Sequence, residues 1–180
     1  MVVHHLTFLT TTFNIRRIDM LTMALTGHRP QRLKYSSYLE TDDWRPIIDW
    51  LKQQIKELGV TDAISGMAEG SDCVYALAVM ELKDEGYDIK LHCVLPCDNY
   101  QCNYYIYDKI KKYADTWTSL SKDFYKGCDN VRDQYMVDNS DKLFAIWDGV
   151  EAGGVWSTIR KAQKRGLDIV YYPKENLKYG

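Results

Sequence analysis

From Met20 onward, short apolar runs alternate with longer segments whose apolar positions recur every three or four residues. Leu21 to Leu25 has strand length and ends in Thr26-Gly27. Asp42 to Leu58 sets Trp44, Ile47, Ile48, Leu51, Ile55 and Leu58 at helical spacing. Thr41 or Asp42 can cap the start of that helix and Gly59 its end. Asp62 to Ser65 predicts a brief strand, and Ser71 opens a helix running to about Glu85, closed by Gly86. Lys90 to Leu95 is a third strand, stopped by Pro96. A tyrosine-rich helix is expected from about Tyr100 to Ala114, then an extended run at Thr116 to Leu120. Asn130 to Asn139 reads as helix, Lys142 to Trp147 as an apolar strand, and Val155 to Arg165 as a helix between Gly154 and Gly166. Leu167 to Tyr172 is the last strand.

Such alternation implies βαβ units whose right-handed crossovers lay a mostly parallel sheet. The expected fold is α/β: a single Rossmann-like domain over residues 20–180, with helices on both faces of the sheet. Residues 1–19 read differently. They carry a threonine run with His4, His5, Arg16 and Arg17 and have no periodicity. Their positive charges follow the apolar stretch and no small-residue cleavage site appears, so they do not read as a signal peptide. They are expected to be an N-terminal appendage, either a strand or a flexible arm.

Composition narrows the partners. A chain of 180 residues buries about 70% of its unfolded surface and needs no staple. With 23 basic and 25 acidic side chains, bulk electrostatics argue against a nucleic-acid partner. No apolar run is long enough to span a membrane. The cysteines (Cys73, Cys93, Cys97, Cys102 and Cys128) lack Cys-x-x-Cys spacing. His92, Cys93, Cys97 and Cys102 crowd together, but Cys93 falls in an apolar run where cysteine behaves as a small hydrophobe. No metal site is expected, and a reducing cytoplasm fits best. The abundance of Tyr and Trp leaves room for a homo-oligomer interface.

Ligands of open parallel sheets bind outside the carboxyl ends of the strands. Three glycine-bearing loops should share that rim. In Thr26-Gly27-His28-Arg29-Pro30, Gly27 permits close backbone approach, Arg29 offers a planar fork for phosphate or carboxylate, and His28 can exchange a proton. Ser65-Gly66-Met67-Ala68-Glu69-Gly70-Ser71-Asp72 leads into a helix start, where free N–H groups would form an anion cradle. Asp72 could complement the helix dipole or accept ribose hydroxyls. Asp148 to Gly154 precedes another helix, and Gly153 and Gly154 expose a second set of N–H groups. Two such cradles suit a diphosphate or nucleotide. The tyrosines near Pro96 read mainly as core, though one or two could stack on a base.

These motifs come in one order: TGHRP, SGMAEGSD, LP with Gln101, then RDQYMVDNSDKLFAIWDGVEAGG. Over about residues 20 to 172 the chain resembles the YpsA-like branch of the SLOG superfamily, which also holds the DNA-processing protein DprA and the LOG cytokinin-activating hydrolases. The resemblance implies a Rossmann-like fold, common in bacteria and their phages, that binds nucleotide-derived ligands. Gly27, His28, Arg29, Ser65, Gly66, Gly70, Asp72, Gly153 and Gly154 would line the site. Met67, Arg132 and Asp148 lie in the same motifs and complete the candidate set. The chain departs from the branch at Asp133, where an asparagine is usual, at Val155, where a threonine is usual, and at Tyr105, where tryptophan is common. LOG hydrolases carry a glutamate where this chain has Arg160, and a cation cannot serve as general base at neutral pH.

The expectation is therefore a cytoplasmic sensor or sequestering protein for an ADP-ribose-like or cyclic nucleotide species, with no required cofactor and no assigned catalytic residue. The alternative is a nucleotide or N-glycoside hydrolase acting through Asp72 or Glu69. A third reading is DNA binding like that of DprA, through Lys109, Lys111 and Lys112 or through Arg160, Lys161, Lys164 and Arg165; both runs read more simply as solvated helix faces.

Overall fold

Each expected strand forms, and all pair in parallel. The computed structural model describes residues 20–100 and 104–178. The expected appendage at 1–19, with Gln101 and Cys102, lies outside them. The elements run β1 (Thr22–Gly27), α1 (Pro30–Leu33), α2 (Arg45–Leu58), β2 (Asp62–Ser65), α3 (Ser71–Asp84) and β3 (Lys90–Leu95). They continue with α4 (Tyr107–Tyr113), β4 (Thr116–Ser119), α5 (Cys128–Asp138), β5 (Lys142–Ile146), α6 (Gly153–Arg165) and β6 (Asp168–Tyr171). Among the described residues this is one α/β domain with the sheet order β4-β3-β2-β1-β5-β6.

The period-two alternation of the strands divides the core. Met23 and Leu25 of β1 join Ala63, Leu91, Phe144 and Ile146 on the face covered by α2 and α3. Ala24, between them, joins Ile64, Val94 and Leu143 on the opposite face, against Met136 and Val137 of α5 and Ala162 of α6. Helices therefore cover both faces, as a parallel sheet requires. Amphipathic α2 buries Ile47, Ile48, Leu51 and Ile55 and stops at Gly59, whose φ of 71° closes the helix in the left-handed region. α3 is buried almost all round, from Ser71 through Met80. A helix apolar on every side belongs inside, here between the sheet and the outer helices.

Several boundaries differ from expectation. α2 begins at Arg45, with Trp44 at its N-cap position and no side-chain cap from Thr41 or Asp42, and α5 begins at Cys128. The tyrosine-rich helix is shorter: α4 begins at Tyr107. Tyr104 and Tyr105 instead reach the preceding loop, where Tyr104 donates to the Ser37 carbonyl at 3.0 Å and the Leu39 N–H donates to the Tyr105 hydroxyl at 2.7 Å. α6 takes in Gly153 and Gly154 as its first turn rather than following them. Pro30 starts the extra turn α1, its fixed φ suited to that position, and Lys34 closes it at φ 55°. No helix among the described residues is long and apolar enough to cross a membrane.

The strand order reverses beside β1: the chain steps outward from β1 to β4, then returns to lay β5 on the other side of β1. The carboxyl ends of β1 and β5 therefore diverge into loops that leave in opposite directions.

Candidate functional site

At that reversal lies a cleft of about 600 Å³. Gly27, His28, Arg29 and Arg32 enter it from the end of β1 and from α1, and Ala68 and Asp72 from the entry to α3. α5 contributes Asp129, Arg132, Asp133 and Met136, and the start of α6 contributes Gly153, Gly154 and Val155.

The β1 loop sits tight against α3. A Cβ on Gly27 would stand 2.6 Å from Ser71 Oγ and 3.0 Å from Ile146 Cβ, so only glycine lets the strand end pass. Ser71 Oγ donates to the His28 carbonyl at 2.7 Å, and the His28 N–H donates to the Ile146 carbonyl at 3.1 Å. The His28 ring lies with Nε2 3.0 Å from Asp148 Oδ1, though off the line of a good hydrogen bond. Asp148 is further held by Arg32 Nε at 2.7 Å and the Val150 N–H at 3.0 Å. Burial pushes the His28 pKa down, against the opposing pull of Asp148, with Arg32 adding to the lowering. Burial acts to raise that of Asp148, but the Val150 N–H, Arg32 and His28 together hold it below its ordinary value. At neutral pH the pair is thus a neutral imidazole beside a carboxylate. Asp148 braces the rim from behind and is not part of the cleft lining.

The loop from Ser65 to Asp72 does not present the open cradle that its sequence suggests. The Met67 N–H donates to Ser65 Oγ at 3.3 Å, and the Ala68 N–H to Asp72 Oδ2 at 3.4 Å. The Ser71 N–H donates to the His28 carbonyl at 3.4 Å. Gly70, at φ 91°, is covered by Pro30, whose Cδ would lie 2.8 Å from an added Cβ. The start of α3 is therefore occupied by the chain's own groups. Ser65 and Met67 are fully buried, and with Gly66 and Gly70 they shape the floor from below rather than lining it. Met67 holds a left-handed conformation, φ 59°, uncommon without glycine. Its carbonyl accepts from both the Tyr107 hydroxyl and Cys73 Sγ, the latter at 3.7 Å.

Above that floor Asp72 and Arg132 share one buried space, each 5% exposed. Gly66 makes room for both: a Cβ there would meet Asp72 Oδ2 at 2.7 Å and Arg132 Cδ at 2.9 Å. Desolvation raises the Asp72 carboxyl to about 7, and Asp133 adds to the rise while Arg132 and the Ala68 N–H oppose it. Burial works against the charge on Arg132, but Asp133 and Asp72 outweigh it and the guanidinium stays charged. It donates from Nη1 to the Gly66 carbonyl and from Nε to Asp133 Oδ1 at 2.9 Å, and lies 5.7 Å from the centroid of the Tyr100 ring. The Tyr100 hydroxyl accepts from Arg29 Nη2 at 3.1 Å. Asp133, the departure from the usual asparagine, is also tied to Thr158, whose hydroxyl donates to it at 3.1 Å.

The start of α6 is the cradle that stays open. No side chain caps it, and Ala152 enters it in extended conformation. Among the described residues, nothing beyond the adjoining chain comes within 4 Å of a Cβ placed on Gly153 (φ 81°) or Gly154. Orphan N–H groups and the positive end of the helix dipole face the cleft there.

Of the candidate residues, Gly27, His28, Arg29, Asp72, Arg132, Gly153 and Gly154 meet at the cleft. Glu69 does not line it and sits at the rim, 3.4 Å from Gln31 Nε2. His92, from the cysteine-rich crowd, is held instead between Thr116 Oγ1 and Asp62 Oδ1, each 2.9 Å away. Sequence reasoning missed Arg32, Asp129 and Met136 as lining residues, whereas Asp133 and Val155, singled out as departures from the resembled branch, do line the cleft. Arg32 had a signal, lying three residues after Arg29 across a proline that can start a helix, and α5 had one in the i, i+3, i+4 spacing of Asp129, Arg132 and Asp133.

A cleft at the reversal of a parallel sheet, with one open helix start, places the molecule in the doubly wound, Rossmann-like class. Within that class the chain belongs to the YspA SLOG family, whose YpsA family model matches residues 23–174. A solved structure of DNA processing protein A from Helicobacter pylori, described for its single-stranded DNA binding mode, is similar with a TM-score of 0.59 and 18% identity. The match covers 87% of this chain and 67% of that one. No curated protein matches the sequence.

Proposed function

We propose that this protein binds a nucleotide-derived small molecule, of the ADP-ribose or cyclic nucleotide kind, in the cleft between the ends of β1 and β5, as a cytoplasmic sensor or sequestering protein. The observation that carries the reading is the open start of α6 facing Arg29 and Arg32 across one cleft. A phosphate would sit on the Gly153 and Gly154 N–H groups, and Arg29 would bind a second acidic group. Asp72, its carboxyl raised to about 7 by burial, would donate to or accept from a ribose hydroxyl. The described cysteines carry free thiols, in keeping with a reducing compartment.

A thermal-shift panel of NAD, ADP-ribose, cyclic nucleotides and nucleoside phosphates tests this. A ligand at a hundred times its dissociation constant adds about 2.7 kcal/mol, a rise of several degrees. The rise should disappear in Arg29→Ala and Gly154→Val. No shift from any compound, with both variants behaving like wild type, sinks the reading.

The raised Asp72 carboxyl favours a second reading, a hydrolase in which that group serves as acid. Products found by mass spectrometry, and lost in Asp72→Asn, would support it; a ligand recovered intact speaks for binding alone. The likeness to DNA processing protein A raises a third, single-stranded DNA as partner, which a gel shift at low salt that persists in Arg29→Ala would favour.

A further inference from the structure

The cleft does not end at α6. A second, shallower groove of about 790 Å³ runs along the outer face of that helix and shares Gly153 with the cleft. Trp156, Arg160 and Lys164 line it at intervals of four residues, which sets them in one stripe. The helix sequence, GGVWSTIRKAQKR, contains no carboxylate, although the chain as a whole is acidic. Arg165 leans on Asp138 at 3.6 Å and Lys161 donates to the Asn130 carbonyl at 3.0 Å. Among the described residues Arg160 and Lys164 have no carboxylate within ion-pair distance. Two cations in one stripe without a carboxylate partner, beside an aromatic and on a helix with no carboxylate of its own, point to an anionic occupant.

The aromatic in the stripe is held rigidly. Trp156 stacks on Trp147 with centroids 5.3 Å apart and planes 10° from parallel, and Trp147 is fixed by its N–H to the Val150 carbonyl at 2.9 Å. A fixed indole beside unpaired cations is the pairing that receives a base and its phosphate. The helix rise places Arg160 roughly 9 Å along the axis from Gly154, and its side chain leans back toward the helix start. One nucleoside unit bridges that span.

We infer that the ligand is a dinucleotide rather than a mononucleotide: one phosphate on the Gly153–Gly154 turn, the next between Arg160 and Lys164, and the second base against Trp156. This rests on the cleft reading above and extends it.

Titration calorimetry on the full chain with AMP against 5′-phosphorylated diadenylate, and GMP against 5′-phosphorylated diguanylate, tests it. In one of the two base series the dinucleotide should bind about tenfold or more tighter than its mononucleotide. Arg160→Glu with Lys164→Glu should erase that advantage and leave the mononucleotide affinity unchanged; Trp156→Leu should remove part of it. Arg160 and Lys164 lie on an exposed helix face while Trp156 is half-buried against Trp147, and circular dichroism checks that each variant keeps the fold. Equal affinity for the two ligand lengths in both series, or an advantage that survives the double charge reversal, overturns the inference while leaving the cleft reading in place. Binding that appears only with a single strand of twenty or more nucleotides also overturns it. Failure of all four compounds to bind removes this inference, whereas loss of mononucleotide binding in Arg29→Ala upholds the cleft reading whatever the dinucleotide does.

Discussion

His28 and Asp148 join the ends of two strands that are distant in sequence and adjacent in the sheet, with Nε2 of one 3.0 Å from Oδ1 of the other. The contact lies behind the cleft at the point where the strand order reverses, so it holds the two sides of the site at a fixed separation.

Burial of His28 makes stability sensitive to acid, and the Asp148 contact works against that effect. The folded His28 pKa lies below its ordinary value of 6.5, so on acidification the unfolded chain takes up a proton before the folded chain does. Stability from this group is therefore complete above about pH 6.5 and declines as pH falls below it. Asp148, whose pKa is lowered, adds a further loss only at more acid pH, below its ordinary 3.8. Urea unfolding of His28→Gln should show a flatter profile between about pH 6.5 and pH 5 than wild type. Asp148→Asn should cost about 1–3 kcal/mol near neutrality, because Arg32 and the Val150 N–H lose a charged acceptor.

Asp72 acts with the opposite sign. Its carboxyl is raised from 3.8 to about 7 in the folded chain, which therefore keeps a proton that the unfolded chain has released. Its presence weakens the fold as pH climbs through that interval. Asp72→Asn should remove this dependence, so that in parallel urea titrations the variant gains on wild type from about pH 4 to about pH 7 and holds that gain above it. A slope unchanged by the substitution would show that Asp72 is not the group involved.

Two glycines separate packing from binding. Gly27→Ala forces a Cβ against Ser71 and Ile146 and should cost about 1–3 kcal/mol or more, read from the shift of the urea midpoint. Gly154→Ala meets open space within the first turn of a helix and should change stability by at most about +1 kcal/mol. It nevertheless narrows the α6 cradle, so ligand affinity should fall while the melting temperature holds or rises.

Val155 offers a gain of function. It is 9% exposed, lines the cleft, and occupies the position where the resembled branch has threonine. Val155→Thr would return a hydroxyl to the first turn of α6, and one added hydrogen bond to phosphate should tighten binding about three- to tenfold by calorimetry. An unchanged or weaker affinity would place the phosphate away from that turn.

The order of elements was legible in the sequence because strand and helix periods differ and glycines mark their ends. All six strands and the long helices α2 and α3 follow from that pattern alone. The tyrosine-rich segment did not, because Tyr104 and Tyr105 are held by hydrogen bonds to residues 37 and 39, partners that local pattern cannot show. The site divides in the same way. Gly27, Arg29, Gly153 and Gly154 were readable as loop chemistry at the carboxyl ends of strands.

By itself the amino-acid sequence determined a parallel α/β domain and the glycine loops at its rim, since period and turn chemistry are properties of neighbouring residues. Only the tertiary structure decided which of two similar helix starts is open. α3 is covered by Pro30 and by the His28 carbonyl, which arrive from the β1 end, whereas among the described residues no other part of the fold packs on Gly153 and Gly154. It also brought Asp72, Arg132 and Asp133 into one space, because burial and the fields of neighbouring charges depend on distances through the fold rather than along the chain.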